Sequence, residues 1–316
     1  MSSNYIGIFD SGLGGLTAVK ELMHLLPNEP IVYFGDTGRV PYGSKSNDTI
    51  IKYTKSDIRF LNTFDLKLIV IACGTASTIA LRSVEGMVDV PVFGVVGAAA
   101  KAAVAATENK RIGIIGTAGS IRSGAYERLI AEIDESIFTI SKPCPLFVPL
   151  VENGFTTGEI AQLAAKHYLT EMKEAGVDTL IMGCTRYPLL AETIGGVMGH
   201  HVTLIDPGRV TAGFVKDYLE QNGLLCTGKA DGQYQFFVSD CPDDFAELGS
   251  KFLQQEIPGG VEKIDIEKVH DEIYKEPVDA YYTTEPFTVY PSENGIDFNI
   301  SIEEAKANLG DQSAEE

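Results

Sequence analysis

The run Leu68-Ile69-Val70-Ile71-Ala72-Cys73-Gly74-Thr75-Ala76-Ser77 constrains this chain more than any other. It is apolar over the length of a strand and ends in a cysteine. It then passes through Gly, Thr and Ser into a segment that reads as helix. In a parallel α/β sheet such a junction lies at the carboxyl edge of a strand, where ligands bind. A thiol there meets the amino end of a helix, whose dipole and free N–H groups favour thiolate over thiol. A lone cysteine in such a run is ordinarily a core residue. Here the layout occurs twice, because Asp178-Thr179-Leu180-Ile181-Met182-Gly183-Cys184-Thr185 is again strand, cysteine, threonine, helix. Matched positions in two halves of a chain predict two thiols facing each other across one cleft.

The duplication reaches beyond the cysteines. Ile112-Gly113-Ile114-Ile115-Gly116-Thr117-Ala118-Gly119-Ser120 resembles Ile6-Gly7-Ile8-Phe9-Asp10-Ser11-Gly12. Residue 112 stands to residue 6 nearly as residue 184 stands to residue 73, as a repeated α/β unit requires. The first copy opens with a strand over 5–9, the glycine-rich turn Asp10-Ser11-Gly12-Leu13-Gly14-Gly15, and an apolar helical period over 16–26 closed by Pro27. This turn lacks the G-x-G-x-x-G spacing of dinucleotide sites and the Gly-Lys-Ser/Thr of a P-loop. Asp10 and Ser11 therefore read either as a turn with a helix cap or as a carboxylate and hydroxyl placed at a sheet edge.

Further on, strands are expected over 31–34, 91–96, 202–205, 234–238 and 261–266. Helices are expected over 47–61, 98–106, 160–175, 187–198, 212–219 and 245–253. Residues 35–43 read as a turn-rich loop, and 143–154 as a proline-bounded segment that brings Glu152 into a loop. The alternation of strand and helix predicts an α/β protein with a parallel, doubly wound sheet.

Composition narrows the function classes. The 316 residues carry a net charge of −19, which argues against nucleic acid or an anionic membrane surface as partner. From Lys268 onward there are 12 acidic and 3 basic residues, so the rest of the chain leaves room for a small anionic substrate. No apolar run approaches the roughly 20 residues of a membrane span. The opening Met1-Ser2-Ser3-Asn4-Tyr5 runs directly into a strand, so no secretory leader is expected. Five cysteines without CxxC or metal spacing suit a reducing cytoplasm, with Cys144, Cys226 and Cys241 read as incidental thiols.

Taken together, several motifs resemble the glutamate racemase family of the aspartate/glutamate racemase superfamily. They are Asp10-Ser11-Gly12-Leu13-Gly14-Gly15-Leu16, Tyr33-Phe34-Gly35-Asp36-Thr37, Val40-Pro41-Tyr42-Gly43, Ala72-Cys73 with Thr75-Ala76-Ser77, Val148-Pro149-Leu150-Val151-Glu152, and Gly183-Cys184-Thr185 with Tyr187-Pro188-Leu189. The match runs in order from about Ile6 to Ile266. The resemblance implies two pseudo-symmetric parallel-sheet α/β domains with the active site in the cleft between them. The first would comprise residues 1–98 plus 208–268 and the second 99–207, leaving 269–316 as an acidic, partly disordered extension. It implies a cytoplasmic, cofactor-independent, homodimeric enzyme that interconverts L- and D-glutamate and supplies D-glutamate for peptidoglycan, with no metal, nucleic acid or membrane partner. Carried over, Cys73 and Cys184 are the acid/base pair, with Asp10 and Glu152 as helpers. Asp10, Ser11, Tyr42, Gly43, Gly74, Thr75, Thr117, Thr185 and Arg186 would hold substrate.

The chemistry suits paired thiols. A single base tends to return a proton to the face it came from, whereas two bases on opposite faces invert the centre directly. Each must alternate between thiolate and thiol, which a cysteine can do where its site lowers its pKa somewhat. Two residues depart from the family. Gly74 stands where Asn is usual, losing an amide but keeping its N–H. Arg186 stands where His is usual. It transfers no proton at neutral pH, but it can stabilise a thiolate or pair with a carboxylate. These departures leave another amino acid such as aspartate, or a catalytically weak binding protein, as competing readings.

Overall fold

The computed structural model describes residues 4–228, 233–268 and 306. Among the described residues ten strands form: β1 (Tyr5–Asp10), β2 (Ile31–Gly35), β3 (Leu66–Ile71), β4 (Val92–Gly94), β5 (Arg111–Gly116), β6 (Phe138–Pro143), β7 (Thr179–Gly183), β8 (Thr203–Ile205), β9 (Tyr234–Val238) and β10 (Glu262–Lys263). They make two sheets, ordered β10-β9-β2-β1-β3-β4 and β6-β5-β7-β8. Every pairing in both is parallel. The order β2-β1-β3-β4 in the first sheet is the order β6-β5-β7-β8 in the second. In each unit the opening strand lies inside, flanked by the strand that leads to a cysteine. The chain then returns to the first sheet and adds β9 and β10 beyond β2.

Parallel strands covered by helices on both faces bury both sets of side chains. Accordingly β2 and β7 are buried throughout, and β1 from Ile6 onward. The helix Val95–Ala106 follows β4 and leads into β5, and it spans the boundary expected between residues 98 and 99. Its small buried residues, among them Ala98, Ala99, Ala102 and Ala103, let other elements approach closely. It packs on the helix Pro207–Gln221, which also packs on Leu16–Leu25. These two helices carry the chain from one sheet to the other and back.

Several elements differ from expectation for identifiable reasons. The alanine-rich helix begins at Val95, because Gly94 ends β4 and the two valines are buried in the helix's own packing. The helix expected over 212–219 runs from Pro207 to Gln221, since Asp206 caps it by accepting from the N–H groups of Gly208 (2.9 Å) and Arg209 (3.4 Å). Residues 187–198 split into a 3-10 turn, Tyr187–Leu190, and the helix Ala191–Met198, with Pro188 in the first turn. The expected strand over 261–266 shortens to β10. Glu152 is the last residue of a short helix, Phe147–Glu152, rather than part of a loop. The edge strand β6 and the helix Ala125–Ile133 were not anticipated; β6 lacks a fully apolar run. The acidic extension over 269–316 lies outside the described residues, Lys306 apart.

Candidate active site

The site is built from strand ends. β1 closes with Asp10, whose carboxylate is fully buried. Its Oδ1 accepts from the Gly12 N–H at 2.9 Å, and the Tyr33 hydroxyl donates to the Gly12 carbonyl at 2.6 Å. Together these hold the glycine-rich turn in place. The turn must be bare at Gly14, because a Cβ there would lie 2.7 Å from Cδ of Arg186. A Cβ on Gly74 would lie 2.6 Å from the Gly183 carbonyl oxygen, a backbone atom that cannot swing aside. Glycine at these positions lets the end of β7 reach the ends of β1 and β3.

Cys73 follows β3 and caps the helix Gly74–Ile79, while Cys184 follows β7 directly. Both are buried, at 5% and 7% exposure. The Cys73 thiol donates to Ser11 Oγ at 3.5 Å. Burial pushes the Cys73 pKa up, and the Asp10 charge adds to it; the Ala76 N–H, the Ser11 hydroxyl and Arg186 pull the other way. Burial pushes Cys184 up to about 12, with the Arg186 charge as the main opposing force. The expectation that helix termini lower both pKa values is therefore corrected. One short helix end contributes a fraction of a charge, and complete removal of a thiolate from water outweighs it.

Arg186 is buried between the two units, not a surface residue. Its side chain is 8% exposed. Nη1 lies 3.2 Å from Asp10 Oδ1 and donates to Thr185 Oγ1 at 3.2 Å. The Thr185 hydroxyl in turn donates to Asp10 Oδ2 at 3.2 Å. On its other side the guanidinium meets Glu152 Oε1, from Nη2 at 3.3 Å and Nε at 3.4 Å. The Glu152 side chain is 38% exposed. One cation thus joins a carboxylate of the first α/β unit to a carboxylate of the second.

The remaining expected residues fall in two groups. Thr75 Oγ1 and Thr117 Oγ1 lie 2.9 Å apart across the units, and the Gly119 N–H donates to the Gly43 carbonyl at 3.0 Å. Tyr42 belongs to a different network. Its hydroxyl donates to Asp36 Oδ2 at 2.5 Å and lies 2.8 Å from Asp57 Oδ2. Arg39 pairs with the same two carboxylates at 2.7 and 2.6 Å. The phenol is thus committed to holding the loop, while the Gly43 backbone meets the other unit at Thr117 and Gly119. Burial raises the Asp57 pKa well above the usual range, with the neighbouring Asp36 adding to it and Arg39 opposing.

Two further residues join the site. Ser120 Oγ lies 3.0 Å from Thr117 Oγ1 and 3.4 Å from Thr75 Oγ1. The repeat that aligns residues 112–120 with the first glycine-rich turn was a signal for it. Tyr126 is fully buried, and its hydroxyl has no hydrogen-bond partner among the described residues. Its pKa is raised by burial first and then by the charges of Cys184 and Cys73. Nothing in the local sequence marks it. Among the described residues no three His, Cys, Asp or Glu side chains are grouped to hold a metal ion, and no helix is long and apolar enough to cross a membrane.

Comparison with known proteins agrees with this architecture. The Asp/Glu/Hydantoin racemase family model matches residues 23–215. The chain is 45% identical over 262 residues to a glutamate racemase of Geobacter metallireducens, covering 83% of this chain and 97% of that one. It is 42% identical over 268 residues to a glutamate racemase of Thermoanaerobacter pseudethanolicus, covering 85% and 100%. Among solved structures, glutamate racemase of Francisella tularensis in complex with D-glutamate superposes with a TM-score of 0.79 at 38% identity, covering 85% of this chain and 100% of that one. With two parallel sheets in the same internal order and a cysteine at the matching strand end of each, this chain is a racemase belonging to the Asp/Glu/Hydantoin racemase family.

Proposed function

We propose that the protein interconverts L- and D-glutamate without a cofactor, using Cys73 and Cys184 as bases on opposite faces of the α-carbon. One thiolate removes the α-proton, and the other thiol delivers a proton to the far face. The exchange leaves the enzyme with its proton on the other sulfur, and proton exchange with solvent returns it to the starting form. The observation that carries this reading is topological: a buried thiol stands at the matching strand end of each unit, on either side of the Asp10–Arg186 pair, and the Cys73 charge reaches Cys184. The substrate follows from the relatives, named glutamate racemases at 41–45% identity. Supply of D-glutamate for peptidoglycan, a cytoplasmic location and a homodimer belong to the same reading, as do the unit boundaries at 98/99 and 207/208.

The raised thiol pKa values set the task for the rest of the site. A carbanion next to a carboxylate is a poor anion, so fixed donors must meet the charge as it develops. Ser11, Thr75, Thr117, Thr185 and the N–H groups of Gly43 and Gly74 are the donors available at these strand ends. Asp10 and Glu152 would assist the two thiols, each from its own unit, with Arg186 balancing their charge. Exclusion of water strengthens every one of these interactions. Gly74 and Arg186 favour a second reading, a racemase of another amino acid such as aspartate or a weakly catalytic binding protein. Wash-in of deuterium at the α-carbon in D₂O separates them. D- and L-glutamate should both exchange, faster than any other amino acid in a panel. Exchange with aspartate alone would move the substrate, and no exchange with any amino acid would leave only binding.

A further inference from the structure

We infer that Arg186 competes with the substrate's ammonium group for Asp10, and so sets how tightly this enzyme holds an α-amino acid. The inference rests on the reading of the cleft as an amino-acid site. An α-ammonium bound between two thiols needs a carboxylate. The carboxylate whose charge reaches both thiols is Asp10, and its Oδ1 lies 3.2 Å from the Arg186 guanidinium. Oδ2 accepts from Thr185 at 3.2 Å, and Oδ1 also accepts the Gly12 N–H at 2.9 Å, so every direction around the carboxylate that the structure assigns is in use. Glu152, the other carboxylate of the cleft, is held by the same guanidinium through two nitrogens.

The seat of Arg186 is shaped for it. A Cβ on Gly12 would lie 2.9 Å from Nη2, and one on Gly14 would lie 2.7 Å from Cδ and Nη1. The glycine-rich turn and the arginine therefore fit as socket and plug, across the boundary between the two units. The arm to Asp10 is buried, whereas the Glu152 arm reaches a half-exposed side chain. An entering ammonium takes Asp10, and the displaced guanidinium keeps Glu152 and can turn to a substrate carboxylate. Arg186 is thus a specificity-determining residue: it weakens binding of cations at Asp10 and selects for molecules that repay the exchange with a carboxylate.

The test compares three probes on the full-length wild type and on Arg186→Met at pH 8. They are D-glutamate, glutarate (the same dicarboxylate without the ammonium) and ethylammonium, a cation without a carboxylate. Binding of the first two is measured by calorimetry, and ethylammonium by protection of Cys73 from iodoacetamide. In Arg186→Met the D-glutamate Kd should fall at least threefold and ethylammonium protection should set in at least tenfold lower in concentration, while glutarate binds no tighter. Weaker binding of both dicarboxylates with unchanged ethylammonium protection would show instead that Arg186 only anchors a carboxylate, and would overturn the competition. Unchanged values for all three would overturn it as well. Should Arg186→Met fail to fold, Arg186→Lys, which can reach only one carboxylate at a time, should shift ethylammonium protection in the same direction by at least threefold; a shift the other way sinks the idea. Ethylammonium reports on Asp10 whatever the substrate is, whereas deuterium exchange reports on racemisation. Failure of one is thereby told apart from failure of the other.

Discussion

The surroundings of Cys73 and of Cys184 make an instructive pair. Both cysteines stand at the end of an inner parallel strand beside the opening strand of their unit. Both are followed by a threonine and a helical turn, and both are withdrawn from water. Their charges differ. Cys73 lies next to the buried Asp10, which together with burial favours its thiol, while its hydrogen bond with Ser11 pulls towards the thiolate. Cys184 lies two residues from Arg186, whose charge is the main force lowering its pKa, while burial still pushes that pKa up to about 12. A duplicated backbone therefore supplies two equivalent positions, and single side chains at their rims make them chemically unequal. The guanidinium that opposes the rise most strongly at Cys184 is anchored in the other unit, on Asp10, so neither half could produce that balance alone.

Breaking the pair should have the largest effect. Cys73→Ser and Cys184→Ser should each lower racemisation by about 10³-fold or more, because one face loses its proton-transfer group. Elimination from an amino acid with a β-leaving group needs only one proton abstraction, so each variant should retain it with one enantiomer, the two variants with opposite ones. Racemase activity near wild type in either variant would refute the two-base assignment.

Removing the anchor comes next. Asp10 is fully buried and Arg186 is 8% exposed, so Asp10→Ala leaves a buried guanidinium with only Glu152. Breaking a buried pair from one side costs about 3–5 kcal/mol, and the lower end applies where a second carboxylate remains. Urea unfolding should show the loss, together with a lower Cys73 alkylation pKa, since the Asp10 charge raises it. A variant as stable as wild type would mean that Arg186 finds water when released.

The inequality itself can be sharpened by titration. With Cys184 pushed up to about 12, its thiolate fraction is still growing through the accessible range. Its alkylation rate should rise about tenfold per pH unit between pH 7 and 9, without a plateau, in a protein whose other cysteines are replaced. Arg186→Ala removes the main force lowering that pKa, so the same curve should lie lower at every pH. Coincident curves would show that Arg186 does not act on this thiol. The smallest effect is expected at Tyr126. Its hydroxyl is buried without a partner among the described residues, so Tyr126→Phe should raise unfolding stability by about 1 kcal/mol. A loss of stability would point to a bound water serving that hydroxyl.

The strand–cysteine–helix junctions at 73 and 184 were legible because a parallel sheet writes itself as apolar runs followed by turns, and the repeat could be read by comparing the chain with itself. The glycine-rich turn, the loop ending in Gly43 and the Thr75–Ser77 segment could be placed at strand ends for the same reason. The edge strand β6 was not legible, since Phe138–Pro143 lies at the sheet margin and is only partly buried. Nor was the state of the thiols, because a sequence shows which helix end follows a cysteine but not how completely water is removed from it.

What the sequence determined by itself is local and periodic: which segments are strands, that a unit occurs twice, and that thiols, hydroxyls and carboxylates stand at carboxyl edges. What only the tertiary structure decided depends on pairs distant along the chain. Arg186 could have been a solvated side chain; it became the link between Asp10 and Glu152 because Gly12 and Gly14 leave a socket for it. Tyr42 could have offered its hydroxyl to a ligand; Asp36, Asp57 and Arg39 converge on it instead. Backbone propensity and hydrophobic period act over a few residues, and so they can be read from the chain. Charge, burial and hydrogen bonding act through space, and their outcome is set only when the two sheets bring those residues together.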